Sequence, residues 1–353
     1  MKRPLAAAVA LLGFVAGVFP IFQSDLFWHL ASGRWILERL AMPRVDPFRF
    51  TSGGASWVDH EWLFQVLVRG AERLGGLDAL VLLRAGALAL FALVLHLAAR
   101  RSGLGAGLAA LVAIGSTLGV RPRFLVRPEI FTLFAIVALL ALLERATASS
   151  GPATRRFAPA VALTLVWVQL HGEALLGPGL AFLFLLGAAR ERRLGWRTVF
   201  GVPALLGVAL LANPYGWRLV EVPFGIAGAL RDLSAQNPEW MSAFEAPQPY
   251  LFGGMAVVAT LAIAARLETG RWPAPERGLP TAALALVALT GVRHQALFYA
   301  AAAPFAASCL ACLRAVRELD PRTERRLALA ALALAGLAAA WCVAPPESGL
   351  LRA

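Results

Sequence analysis

The residues able to do chemistry in this chain are gathered rather than spread. Asp25, His29, Asp46, Asp59, His60 and Glu61 share one polar stretch, and Arg121, Arg123, Arg127 and Glu129 share a second. His171 and Glu173 form a third. Asn213 and Tyr215 mark a fourth, with Glu239 soon after, and Arg293 and His294 make a fifth. His96 is the one histidine outside these groups. Carboxylates beside imidazoles move protons, and guanidiniums neutralise phosphates by bidentate contact. His60-Glu61 lacks the second histidine of a zinc-protease helix, so that chemistry is not indicated. Cys309, Cys312 and Cys342 lie in apolar runs without a neighbouring Cys/His cluster and read as packing residues.

What must position these groups follows from composition. Hydrophobic residues make up 59% of the 353 and charged ones 15%, with a mean hydropathy of +0.68. A water-facing surface cannot be covered by so few polar groups, so a soluble domain, a disordered chain and a collagen-like chain are all excluded. The sequence predicts an all-α, polytopic transmembrane bundle forming a single domain over 1–353. About eleven apolar stretches have spanning character, with nine to eleven compatible with their lengths. They lie near 5–22, 76–99, 104–120, 130–143, 157–170, 175–189, 199–212, 250–265, 279–292, 296–313 and 327–343. The first follows Lys2-Arg3 without a small-x-small cleavage site and reads as an uncleaved span with a cytoplasmic N-terminus.

Arginines test that orientation. Every second connection carries them: Arg100-Arg101, then Arg145 with Arg155-Arg156, then Arg190, Arg192, Arg193 and Arg197. Arg266, Arg271 and Arg277 follow, then Arg314, Arg317, Arg322, Arg325 and Arg326. By the positive-inside rule these turns are cytoplasmic. Much of the net charge of +12 (33 − 21) therefore reports topology, and no nucleic-acid partner is needed. The polar groups of the opening paragraph then all fall on the opposite side. Helix ends carry polar residues in any bundle, and an arginine there serves equally as a headgroup anchor. Ionisable groups near membrane depth are costly, however, and are kept mainly for function.

The longest connections on that side are 23–75 and 213–249. In the first, 25–39 reads as an amphipathic interfacial helix with Asp25 and His29 on one face. Pro43, Asp46 and Pro47 supply turn chemistry. A second amphipathic helix opens at 57–63, with Asp59 as N-cap.

This arrangement resembles the C-type integral-membrane glycosyltransferases, and more closely a bacterial glycosyltransferase-like group. The resemblance is carried by Asp25-x-x-Trp28-His29-Leu30-x-x-Gly33, Pro43-x-x-Asp46-Pro47-Phe48 and His60-Glu61-Trp62-Leu63. Arg127-Pro128-Glu129, His171-Gly172, Asn213-Pro214-Tyr215-Gly216, Glu239-Trp240 and Arg293-His294 extend it along the chain. It implies a multi-pass protein of the bacterial inner membrane that takes a sugar from a polyprenyl-phosphate donor at the periplasmic face. An acidic residue early in the first loop would act as base or metal contact: Asp25, with Asp46 or Glu61 as second carboxylate and His60 beside them. Independently of the name, an oxocarbenium-like transition state calls for carboxylates, and the departing phosphate for cations. Arg121, Arg127 or Arg293 could supply the cation. His29, His171 and His294, with Glu129, Glu173, Asn213, Tyr215 and Glu239, complete the expected substrate-binding set. The loop lacks a tight Asp-x-Asp pair, which leaves a divalent metal open.

Larger members of the class carry a soluble domain after the last span. Here the sequence ends soon after Pro345-Pro346-Glu347, so a partner protein or a small lipid acceptor is expected to fill that role. Two other classes compete. A transporter or flippase of a lipid-linked precursor would place binding groups at mid-span, where Arg84 is the clearest charge; a non-catalytic scaffold would leave the polar groups dispersed. The enzyme reading expects Asp25, Glu61, Arg127 and His171 to line one cavity.

Overall fold

The computed structural model describes residues 2–48, 54, 56–192 and 194–343, so Arg193, part of the first loop and Pro345-Pro346-Glu347 lie outside the described residues. Among the described residues the chain is helical, with a single isolated β-bridge joining Val45 and Ser56. The helices are α1 (Lys2–Gly17), α2 (Asp25–Arg39), α3 (Trp62–Arg101), α4 (Ala106–Val120), α5 (Glu129–Ala148), α6 (Ala153–Leu170) and α7 (Leu176–Arg192). They continue as α8 (Trp196–Ala209), α9 (Arg218–Gln236), α10 (Pro249–Thr269), α11 (Pro275–Thr290), α12 (Gln295–Cys312), α13 (Arg314–Arg317) and α14 (Pro321–Val343).

Among the described residues six helical stretches are long and apolar enough to cross a membrane: Trp62–Arg101, Glu129–Ala148, Gly172–Ala189, Pro249–Thr269, Val292–Cys312 and Pro321–Cys342. Arg3–Gly17 and Trp196–Ala209 are apolar but shorter. All eleven expected segments contain helix, yet length and composition mark six of them, not eleven, as spans. The others fall short because they run to 14–18 residues or carry charges in their first turns, such as Arg155 and Arg156 on α6 and Glu276 and Arg277 on α11.

α12 is the axial helix. Every residue from Gln295 to Ala307 is buried, and four consecutive alanines, Ala300 to Ala303, let α3, α4, α5, α10 and α11 approach closely. α1 packs on α3, α4 and α14. Gly13 and Gly17, one turn apart, meet the backbone of Leu88 and Ala89 and of Ala85, where a Cβ would sit within 2.7 and 2.6 Å. Leu82, Leu90, Leu97, Val257, Ile263 and Leu337 instead point outward and are more than four-tenths exposed, an arrangement that a lipid phase stabilises and water does not.

Two local features bring the first loop onto this bundle. α3 breaks at Gly75-Gly76, where Gly76 takes φ +66°, a left-handed conformation that glycine adopts without Cβ strain. The segment before the break packs on α2. α2 buries Leu26, His29, Leu30, Gly33 and Ile36, the 3–4 spacing of an amphipathic helix. It ends where Leu40 turns left-handed and returns its N–H to the Ile36 carbonyl at 2.8 Å. Gly33 is the point of closest approach: a Cβ there would lie 2.1 Å from the Gln65 carbonyl oxygen.

Candidate functional site

Asp25 occupies the first turn of α2, where the helix dipole favours an anion. Its carboxylate forms an ion pair with Arg127, Oδ2 lying 2.6 Å from Nε. Arg127 lies just ahead of Pro128 and α5, and its Nη1 reaches both oxygens of Glu239 at 2.9 Å. Glu239 also accepts from Arg123 Nη1 at 2.9 Å, and the second Arg123 terminal nitrogen stands 3.6 Å from Glu129, the first residue of α5. A chain of alternating charge, Asp25–Arg127–Glu239–Arg123–Glu129, thus runs across the ends of α2 and α5 and the 3₁₀ turn at Pro238–Trp240. Asp25 and Glu239 are its open side, with side chains 38% and 28% exposed.

A second cluster sits beside it. Glu61 precedes α3, and three imidazoles surround its carboxylate: His60 at 3.4 Å, His29 at 3.6 Å and His171 at 3.7 Å. His29 and His171 are buried, whereas His60 is part-exposed. Burial alone would raise the Glu61 pKa, but His60, His29 and His171 hold it far below the usual carboxylate range. Burial would likewise depress His60, and the adjoining Glu61 and the Val58 carbonyl more than reverse that, leaving its pKa raised. For His29 burial prevails and the pKa is lowered, Glu61 and Asp25 opposing and Arg127 assisting. His29 therefore couples the two clusters, and its ring is braced edge-on by Phe64.

His171 ends α6 in an extended conformation. Its Nδ1 lies 2.8 Å from the Thr132 hydroxyl, which also accepts the Trp167 indole N–H at 3.0 Å. Glu173 stands 3.3 Å from the same Nδ1. A buried line Trp167–Thr132–His171 thus ends on Glu61 and fixes the imidazole plane.

Asp25 meets Arg127, and Glu61 meets His171 and His29, so the four residues lie in two adjoining ionic clusters. Two clefts of the described residues lie at the other end of the bundle, one beside Glu144 and Arg277 and one beside Arg100, Glu324 and Arg325. Arg293 stacks on Trp240 with its guanidinium carbon 4.2 Å from the ring centre, and His294 contacts Thr290. The Val292 N–H to Met241 carbonyl bond and the Ala243 N–H to Leu289 carbonyl bond, each 3.0 Å, tie that turn to the Glu239 loop.

Four expected site residues sit elsewhere. Arg121 faces away from Arg123 and donates its Nε–H to the Ala16 carbonyl at 3.1 Å; residues two apart on a 3₁₀ turn project about 120° apart. Asp46 closes a turn by accepting the Phe48 N–H. Asn213 is consumed by its own loop, bonding Leu210, Gly216 and Tyr215. Tyr215 donates its hydroxyl to the Pro43 carbonyl at 2.7 Å and so pins the two long loops together. Asp59 is not an N-cap: α3 begins after Glu61, and the buried Asp59 carboxylate takes the Gln65 amide at 2.7 Å. Burial, reinforced by Glu61, pushes its pKa up to about 7. Conversely, Arg123, grouped with Arg121 and Arg127 in the sequence but given no role, belongs to the site, as do Thr132 and Trp167, neutral residues inside apolar runs that left no signal.

Among the described residues no group of three or more His, Cys, Asp or Glu is placed to hold a metal ion. The three imidazoles point at a carboxylate instead.

No protein-family model matches the sequence, and no curated protein matches it. The fold is similar to the crystal structure of the Archaeoglobus fulgidus oligosaccharyltransferase in the apo form, with a TM-score of 0.61 at 14% identity. The match covers 97% of this chain and 54% of that one, so this chain spans about half the length of the archaeal protein. At that identity the likeness shows a similar helical fold.

Proposed function

We propose that this chain is an integral-membrane glycosyltransferase-like enzyme that moves a sugar from a polyprenyl-phosphate donor to an acceptor. In this reading the eleven expected segments cross the bacterial inner membrane, the N-terminus is cytoplasmic and the ionic cluster faces the periplasm. The observation that carries it is the pairing of a part-exposed carboxylate, Asp25, with a guanidinium, Arg127, at 2.6 Å, set on a fold similar to that of an oligosaccharyltransferase. A donor entering beside Asp25 would draw Arg127 onto its phosphate and free the carboxylate to accept the proton of the incoming hydroxyl. Arg127 would offset the charge that develops on the leaving phosphate. Glu61 has a different part. Held ionised by three histidines, it is a poor base; it raises the pKa of His60 at the open edge and stands beside His29. A partner protein or a small lipid presents the acceptor, and a divalent metal, where required, would be completed by substrate phosphate. A flippase would need its charges along the transport path, whereas here they gather at one end of the helices.

The test is sugar transfer from a polyprenyl-phosphate donor in proteoliposomes, wild type against Asp25→Asn. Loss of a positioned base predicts a rate lower by about 10²–10⁴-fold with the fold intact. Equal rates in the two proteins would remove Asp25 from the chemistry.

A further inference from the structure

Arg84 and Arg121 lie close enough for each charge to act on the other, yet among the described residues no carboxylate pairs with either. Arg84 sits on α3 within the bundle and is 1% exposed. Its Nε donates to the Gly17 carbonyl at 2.9 Å and its Nη2 to the Phe19 carbonyl, while Nη1 is buried with no partner. Arg121 spends its Nε on Ala16. Both guanidiniums lie over the Phe19 ring, at 3.5 and 5.4 Å, and Arg121 also lies 5.7 Å from the Trp341 ring. The two side chains therefore turn N–H groups to the last carbonyls of α1; the Arg84 Nη1 left over is sealed inside, whereas the terminal nitrogens of Arg121 are not.

The C-terminal dipole of α1 offsets part of one positive charge, not two in a low-dielectric setting. By contrast Arg123, Arg127 and Arg277 each have a carboxylate within 3 Å. An uncompensated pair calls for an anion from outside the chain. The surroundings say of what kind. Trp341 and Phe22 are 57% and 72% exposed, as aromatic residues at headgroup level are, and Phe22 stacks on Phe19. Below them the outward side chains Leu11 and Phe14 of α1 and Leu334 and Leu337 of α14 form an apolar track.

We propose that Arg121, reinforced by the buried charge of Arg84 behind it, binds the phosphodiester of an anionic phospholipid, whose acyl chains lie along α1 and α14. The Arg121 guanidinium fork matches phosphate oxygens, and one lipid anion supplies the charge the pair lacks. The site is separate from the Asp25–Arg127 cluster, since Arg121 and Arg123 diverge, and it does not depend on sugar transfer.

The test uses the full chain purified in neutral detergent and titrated with phosphatidylglycerol, phosphatidylcholine or inorganic phosphate, reading the thermal midpoint and the lipid retained in native mass spectra. Phosphatidylglycerol should be retained and should raise the midpoint, and the other two should not. Arg121→Gln should weaken phosphatidylglycerol binding about tenfold, the scale of one charge-assisted contact. Arg84→Lys, which keeps the charge, should weaken it less than Arg121→Gln. Equal responses to phosphatidylglycerol and phosphatidylcholine, or an Arg121→Gln protein that binds like wild type, would overturn the proposal and leave both arginines as caps of α1. Stabilisation by inorganic phosphate alone would overturn the lipid assignment. Glu347 lies outside the described residues, six positions past Trp341; a lipid response seen only in Glu347→Gln would make that carboxylate the native counter-charge and overturn the proposal too.

Discussion

Glu239→Gln tests the ionic cluster most directly. Glu239 accepts from Arg123 and from Arg127 at 2.9 Å, and its side chain is 28% exposed. Burial alone would raise its pKa; the two guanidiniums bring it down to about 2 from the ordinary 4.5. That gap of 4.5 − 2 = 2.5 decades corresponds to about 3 kcal/mol at roughly 1.4 kcal/mol per decade. A Coulomb estimate agrees in scale, since one pair of charges 4 Å apart gives about 4 kcal/mol at an effective dielectric of 20, before the burial cost. Glutamine keeps the shape and removes the charge, so the variant should lose about 3 kcal/mol at pH 7, or about 5 °C in the apparent midpoint. The sign with pH follows from a depressed folded pKa. The stabilisation is complete above pH 4.5 and is lost as pH falls through about 2, so wild type and variant should converge between pH 5 and pH 2. Thermal unfolding of both proteins in neutral detergent across pH 2.5–8 reads this out, and taking the difference cancels the other titrating groups. A gap that stays constant with pH, or no gap at pH 7, would refute the reasoning.

Three further outcomes are expected. Gly33→Ala places a methyl 2.1 Å from the Gln65 carbonyl, so α2 must shift from α3; a midpoint drop equivalent to about 2 kcal/mol and lower transfer activity should appear together. Thr132→Val leaves the buried Trp167 N–H without its acceptor and His171 without its hydroxyl; about 1–3 kcal/mol of stability should go, and a tryptophan fluorescence change should report it. Asp59 titrates near 7 when folded against 3.8 when free. A raised folded pKa gives stability that is present below pH 4 and is lost as pH rises through about 7. Asp59→Asn keeps the acceptor for Gln65 and should gain on wild type by a few kcal/mol across that window; parallel pH–stability curves would contradict this.

The helices and the polar side of the bundle were legible because each rests on local information. α2 can be read from Asp25 to Arg39, and the break at Gly75-Gly76 from two adjacent glycines. The gathering of ionisable groups at alternate turns is written in the order of charge along the chain. The span count was less legible, since hydropathy alone does not distinguish a short helix such as α4 or α11 from one that crosses. Which polar residues meet was not legible at all. Arg121 and Arg123 are equivalent in sequence, and only the turn at Pro122 sends one to Glu239 and the other to the end of α1. Asp46, Asn213 and Tyr215 carry the same resemblance as Asp25 and Glu239, yet their polar atoms are spent on loop backbone.

The sequence by itself determined a helical membrane bundle with its ionisable chemistry at one end, because apolar length and the cost of buried charge act residue by residue. The tertiary structure alone decided that three histidines converge on Glu61, that Asp25 is held by Arg127, and that two arginines share the Phe19 ring with no carboxylate among the described residues. Those are distances between segments up to a hundred residues and more apart, set by how α2, α3, α5 and α6 pack, and no local pattern encodes them.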